Sequence, residues 1–462
     1  TMVPFVLALL LFPDFFITQL KLTTEQARLL PGAGRGLDAG PLLLGIVAIM
    51  LMLGAASDVS VQVLYAYFRQ KMTNVLEVLN SLLIPGLQAL LVVPLSVFGA
   101  LIALLIGTAI SVALSLRLMF HALGQERLGM SKPVPRPAPV AGAPAPRSIW
   151  RRFTAYSAMQ YAMILTTALY DQSFVVLTLG LIIANREQLA VEVALIGLAF
   201  KFVRQLLQAL VVPLTGVQTP LFSRLYAEGR IEGLRTAYAS LTRFLILVLL
   251  PAGAGLILMS RNLLVLLYLQ PGADAVLSPA RLDAAVAACA ILTVGLFGES
   301  MISVALNVLM VYEDYRAVLL ARTVALLSVP LIVLLEPRFG VVGVAAAVAT
   351  AALGSRLVAL LFGLRRLGLH FPLGFLGRVM LATMAFVVII GPLAFMLPAT
   401  PDLGEFFSLD RLLLGLADGA LVAGAVLLFW LAFRRLGGLL PEDKQRFAAM
   451  RLPGIKRIMQ YL

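Results

Sequence analysis

The sequence predicts an all-α polytopic membrane protein. About twelve transmembrane helices form two pseudo-symmetric lobes related by a parallel repeat, followed by two further helices. Three observations carry this prediction. Apolar stretches of membrane-spanning length follow one another along nearly the whole chain. Lysine and arginine concentrate in every second connection between them. A set of landmarks in one group of four stretches returns, in the same order, in a later group.

The first observation rests on the thickness of the hydrocarbon layer, which takes about 20 apolar helical residues to cross. The chain is 61% hydrophobic and 13% charged, whereas a soluble domain carries about 25% charged residues. The predicted spans cover 2–20, 41–67, 75–98, 99–122, 152–183, 190–221, 237–259, 283–311, 316–335, 340–364, 374–397 and 411–433.

Orientation follows from the 36 lysines and arginines. With the ends of even-numbered spans inside, only Lys21, Arg28, Arg35, Arg186, Arg261, Arg281, Arg338 and Arg411 fall outside. Lys201 and Arg204 are mid-span, and the rest are inside. Cytoplasmic connections carry this excess in membrane proteins, so the C-terminus is predicted to be cytoplasmic. The same distribution removes nucleic acid as the meaning of the net charge of +13.

The third observation is the repeat. Leu37-Asp38-Ala39, Val63-Leu64, Tyr67, Lys71 and Pro85 recur, at one constant spacing, as Leu282-Asp283-Ala284, Val308-Leu309, Tyr312, Arg316 and Pro330. Spans one to four thus correspond to spans seven to ten. Six spans separate the copies, so both have one orientation, as in transporter halves related by an axis along the membrane normal. Spans five and six have no mates ahead of span one. The expectation is a plan of six plus six plus two spans, of which this chain lacks the first two.

The predicted organisation is then an N-terminal lobe over 1–122, a cytoplasmic linker over 123–150, a C-terminal lobe over 151–366, two extra helices over 367–435 and a cytoplasmic tail over 436–462. The linker contains the Pro/Ala-rich run Lys132 to Arg147, which favours extended backbone. The tail from Pro441 mixes Lys444, Arg446, Arg451, Lys456 and Arg457 with Phe447, Met450, Ile455 and Ile458. It reads as a basic amphipathic segment on the inner leaflet. A second polar linker is expected over Ser223–Arg235, and Pro213 is expected to loosen span six by removing a backbone donor.

Functional residues are sought where polarity is costly. Lys201, Arg204, Gln205 and Gln208 fall at i, i+3, i+4 and i+7 in span six, which is one stripe of a helix. A charge at mid-bilayer costs about 2.5–3.5 kcal/mol on insertion scales, so lipid cannot be what that stripe touches. It faces a water-filled cavity, or it pairs with carboxylates of neighbouring helices. Asp171, in span five beside Gln160, Tyr161, Tyr170 and Gln172, is either an ion-coupling carboxylate or the partner of Lys201 or Arg204. Glu299 in span eight and Asp58 in span two lie at related heights in the two halves. They are coupling candidates, with counter-ions for Arg322 or Arg356 as the alternative. Arg243, Arg322, Arg356 and Arg378 are expected to snorkel at inner ends. Asp418 is ambiguous.

Other chemistries lack their residues. The two histidines, His121 and His370, stand apart at predicted helix ends, and no HExxH or CxxC pattern occurs. The single cysteine, Cys289, allows no intrachain disulfide. No metal or cofactor is predicted, apart from sodium or protons as coupling ions. A membrane glycosyltransferase needs catalytic groups on a sizeable outer loop, and the longest outer loops, 21–40 and 260–282, are short and poorly equipped. The reading is a transporter, not an enzyme.

Three segments resemble a known group. Pro-Leu-Phe-Ser-Arg-Leu-Tyr-Ala-Glu-Gly-Arg at 220–230, Glu313-Asp314-Tyr315-Arg316, and Phe-Gly-Val-Val-Gly-Val-Ala at 339–345 are similar to segments of the multidrug/oligosaccharidyl-lipid/polysaccharide exporter superfamily. The two extra C-terminal helices also resemble its polysaccharide flippases and peptidoglycan-precursor flippases. The resemblance implies two six-helix lobes around a central cavity, alternating access, and a bacterial inner membrane. It implies export of a polyprenyl-pyrophosphate-linked oligosaccharide of the O-antigen type, with polysaccharide-assembly proteins as candidate partners. In that setting Lys201 and Arg204 would meet the pyrophosphate, and Gln205 and Gln208 the sugar hydroxyls. A multidrug antiporter and a lipid II flippase are the alternatives within the superfamily, and a cationic cavity disfavours the drug antiporter.

Overall fold

The computed structural model describes residues 39–66, 70–127, 172–268, 279–396 and 409–438, together with Trp150, Thr154 and Ala158. Span one, most of span five with Asp171, the Pro/Ala-rich linker and the tail lie outside the described residues. Every regular element among the described residues is helical. The protein is an all-α polytopic membrane protein. Among the described residues, six helical segments are long and apolar enough to cross a membrane: Leu101–Gly124, Ile231–Leu266, Arg281–Val311, Tyr315–Leu367, Leu373–Ala394 and Leu413–Arg435.

The chain forms two compact units, Thr1–Pro139 and Val140–Leu462. In the first, α1 (Ala39–Ala66) packs on α2 (Gln70–Arg127). α2 covers both of the spans expected to meet at 98/99, and it is folded back on itself as that expectation requires. A Cβ placed on Gly107 would sit 2.7 Å from Cγ1 of Ile84, whereas in a straight helix those residues stand about 35 Å apart. Leu64 of α1 meets Leu76 and Ala122 of the two arms in a small core.

The second unit contains α3 (Gln172–Ile182), α4 (Arg186–Ala227), α5 (Ile231–Tyr268), α6 (Pro279–Ile302), α7 (Val304–Val311), α8 (Tyr315–Thr323), a 3₁₀ turn Val324–Leu327, α9 (Ser328–Leu367), α10 (Leu373–Met396) and α11 (Leu409–Arg435). Gly340, at φ 53° and ψ −136°, divides α9 into its two arms. That backbone region is closed to residues with a Cβ, so the glycine sets the turn between predicted spans nine and ten.

The centre of this unit is the packing of α6 on the second arm of α9. Gly295 approaches Ala349 so closely that a Cβ added to it would overlap the Ala349 Cβ. In lipid, where tails are as apolar as leucine, such small-residue contacts let helices gain dispersion contact that larger side chains prevent. The run Val344 to Ala352 supplies the small face, with Val344, Ala345, Ala347, Val348 and Ala352 fully buried. Helices α4 and α5 close around α6, and α10 and α11 stack against α5.

One expectation is corrected. The segment Ser223–Arg235 is not a polar linker. α4 runs to Ala227 and α5 starts at Ile231, with a tight turn at Gly229 (φ 69°). Its charges are spaced for helix: Arg224 bonds Glu228, four residues on, at 2.7 Å. α4 passes through Pro213, as the span predicted over 190–221 does.

The close contact of α6 and α9 yields a prediction. Gly295→Val should lower stability by about 1–3 kcal/mol through overpacking. Gly255→Ala, with open space around its Cβ position, should not. Thermal unfolding of the two variants in one detergent checks this.

Candidate functional site

Helix α4 has two faces because its apolar residues recur at helical spacing. Leu195, Ile196, Ala199, Phe200 and Val203 are buried in the core of the second unit. Lys201, Gln205 and Gln208 are exposed. Lys201 points about 160° away from Val203 on a helix of 3.6 residues per turn. The predicted stripe thus lies on the side of α4 turned away from its own unit. Among the described residues Lys201 makes no ion pair. Arg204 is half-buried at the edge of the stripe, its guanidinium 5.2 Å from the Phe200 ring centroid, within cation–π range. Phe200 in turn is fully buried, so the arginine leans on a fixed surface.

α4 is held at both ends. Asn185 caps its start, accepting from the backbone N–H of Glu187 at 2.9 Å. Near its other end the buried Gln218 accepts from Asn307 Nδ2 of α7 at 2.7 Å, and Tyr226 packs on Tyr312 with ring centroids 4.8 Å apart. The stripe therefore sits on an anchored helix.

Leu206, between Gln205 and Gln208 in the chain, faces elsewhere. It lines an apolar cavity of about 500 Å³ with Pro251, Met259 and Leu263 of α5, Phe386 and Ile390 of α10, and Val422 and Phe429 of α11. Beyond its α5–α11 end, Asp418 and Asn262 are both buried and bonded, Asn262 Nδ2 donating to Asp418 Oδ1 at 2.9 Å.

The other predicted candidates are dispersed. Glu299 of α6 accepts from Arg356 Nε of α9 at 2.9 Å, and the two side chains are 11% and 12% exposed. Arg356 is therefore not an arginine reaching out of an inner helix end. It is a buried partner, because the small-residue contact brings α6 and α9 close enough for the pair to meet. Arg322 is likewise buried, at 5% exposure. Asp171 lies outside the described residues, and so does the side chain of Asp58. Two carboxylates passed over in the sequence are buried in the second unit: Glu192 on α4 and Glu336 on α9. Glu336 stands next to the turn at Gly340, between predicted spans nine and ten. The apolar run around Glu192 is the signal that could have marked it.

No family model matches the sequence, and no curated protein matches it. Among solved structures, the fold is similar to that of the lipid II flippase MurJ in its inward closed conformation. The TM-score is 0.58 at 16% identity, over 94% of this chain and 81% of that one. At such identity the likeness is one of fold.

The Glu299–Arg356 pair is expected to matter to stability as a unit. Removing one partner of a buried ion pair typically costs about 3–5 kcal/mol. Arg356→Leu should show that loss in thermal unfolding, and the double variant Glu299→Leu/Arg356→Leu should recover most of it.

Proposed function

We propose that this chain is a flippase of the multidrug/oligosaccharidyl-lipid/polysaccharide exporter superfamily. Its substrate would be a polyprenyl-pyrophosphate-linked oligosaccharide, moved across the bacterial inner membrane by alternating access. The observation that carries the reading is the division of α4. One side holds exposed Lys201, Gln205 and Gln208 with Arg204 at its edge. Leu206, about 140° round the helix from Lys201, opens onto the apolar cavity. An anionic headgroup attached to a long hydrocarbon matches that pair of surfaces. Guanidinium and ammonium groups bind pyrophosphate with charge-assisted hydrogen bonds, amides suit sugar hydroxyls, and a dry cavity suits an isoprenoid chain. The lipid would straddle the helix.

The fold likeness to a lipid II flippase supports a lipid-linked precursor as cargo, and makes lipid II the second reading. Both cargoes present a polyprenyl pyrophosphate, so the stripe suits either. A multidrug antiporter is disfavoured because a cationic face repels cationic drugs. Nothing in this reading calls for a chemical step, so the protein acts as a transporter and not as an enzyme.

Two expected outcomes test the site. Lys201→Ala and Arg204→Ala should each weaken binding of a polyprenyl pyrophosphate by about 10–100-fold, the equivalent of a hydrogen bond to a charged group. Phosphate-free polyprenol should bind both variants as it binds the parent chain. Binding to the purified chain in nanodiscs reads this, and competition between lipid II and a pyrophosphate-linked oligosaccharide ranks the two cargoes. Second, Lys201→Cys should react readily with a charged, lipid-insoluble thiol reagent, while native Cys289, which is buried, stays inert. Unchanged pyrophosphate binding by both alanine variants, or no labelling at 201, would remove the stripe from the mechanism.

A further inference from the structure

Two carboxylates are buried at the end of the second unit where α4 begins and α9 turns at Gly340. Glu192 is 8% exposed and Glu336 is 5% exposed. They come from different helices and lie within electrostatic reach of one another. The close passage of the Gly340 turn defines one wall: a Cβ on Gly340 would lie 3.7 Å from Oε1 of Glu192. That oxygen accepts a hydrogen bond from Nε2 of Gln188 at 3.0 Å. The other oxygen of Glu192 is wholly buried and has no hydrogen-bond partner. Among the described residues no ion pair or hydrogen bond reaches Glu336 either.

Among the described residues, no cation forms an ion pair with either carboxylate. Glu187 and Arg338 are exposed, and Asp283 is tied to Arg261 at 3.2 Å. α3, packed against both α4 and α9, carries no charged residue. The adjoining Val191, Val193, Leu335 and Val341 belong to the apolar core or pack on it. A buried ionised carboxylate costs far more than a lost hydrogen bond unless it is paired, and a second carboxylate within electrostatic reach raises that cost. The unpartnered oxygen thus marks where a positive charge belongs.

The geometry points to a seat for one monovalent cation, a proton or a sodium ion, between Glu192 and Glu336. Gln188 is exposed and stands one turn nearer the start of α4, so its amide connects the seat to solvent. In the predicted topology this is the outer side of the membrane. The seat is separate from Lys201 and Arg204 on the same helix, and it holds whichever lipid the protein carries. Glu299, already paired with Arg356, contributes nothing to it.

The test uses the full chain in lipid nanodiscs, with Glu192→Gln and Glu336→Gln as near-isosteric variants. Infrared difference spectra across a pH series read the carbonyl band of a protonated carboxylic acid. Thermal unfolding reads sodium against choline at constant ionic strength. If the ligand is a proton, the parent chain shows an acid band that titrates with pH, and both variants lose that step. If it is sodium, the unfolding temperature of the parent rises with sodium and both variants lose the rise. Persistence of the parent's titration and sodium response in both variants overturns the proposal. So does a parent chain that shows neither, which decides the matter even where a variant fails to fold.

Discussion

The second unit depends on the approach of α6 to α9. Gly295 against Ala349 is a contact that only small side chains allow, and it brings the two backbones together. Once they are close, Glu299, one turn further along α6, and Arg356, about two turns further along α9, meet at 2.9 Å. The order matters physically. A buried ion pair rarely stabilises relative to apolar packing, because desolvation offsets most of its attraction. The pair is therefore better read as fixing which register of α6 against α9 is allowed. Dispersion in the small-residue contact supplies the attraction, and the ion pair penalises every alternative alignment.

α4 inherits its orientation from that arrangement. Its apolar face, Leu195 to Val203, is committed to the core built on α6, so the opposite face cannot turn inward. Lys201, Gln205 and Gln208 are left pointing out of the unit by the same periodicity that buries Phe200 and Val203. The consequence for function is a rigid display. Side chains on an anchored helix hold a headgroup site more closely than side chains on a loop, and the cap at Asn185 and the Gln218–Asn307 bond prevent the helix from rotating to hide them.

The charged and polar groups within this unit meet four different fates. Glu299 has a guanidinium. Asp418 has the amide of Asn262 and a buried setting. Lys201 has exposure on the outside of the unit. Glu192 and Glu336 are buried within electrostatic reach of one another, and among the described residues neither has an ion pair. These fates are set by distances of a few ångströms between helices, and they separate groups that serve packing from groups able to bind an external ligand.

Much of this was legible in the chain itself. Span lengths follow from hydrocarbon thickness, and helices α1, α10 and α11 begin and end within a few residues of the apolar runs that predict them. The stripe at 201, 204, 205 and 208 follows from helical periodicity, which acts over neighbouring turns and needs no tertiary information. Partnership between helices does not follow. Arg356 reads as an inner-end arginine until α6 is seen beside it. Local spacing decides which face of a helix is polar. Which helix that face meets depends on side-chain volumes, such as the missing Cβ of Gly295, that act only when distant segments come into contact.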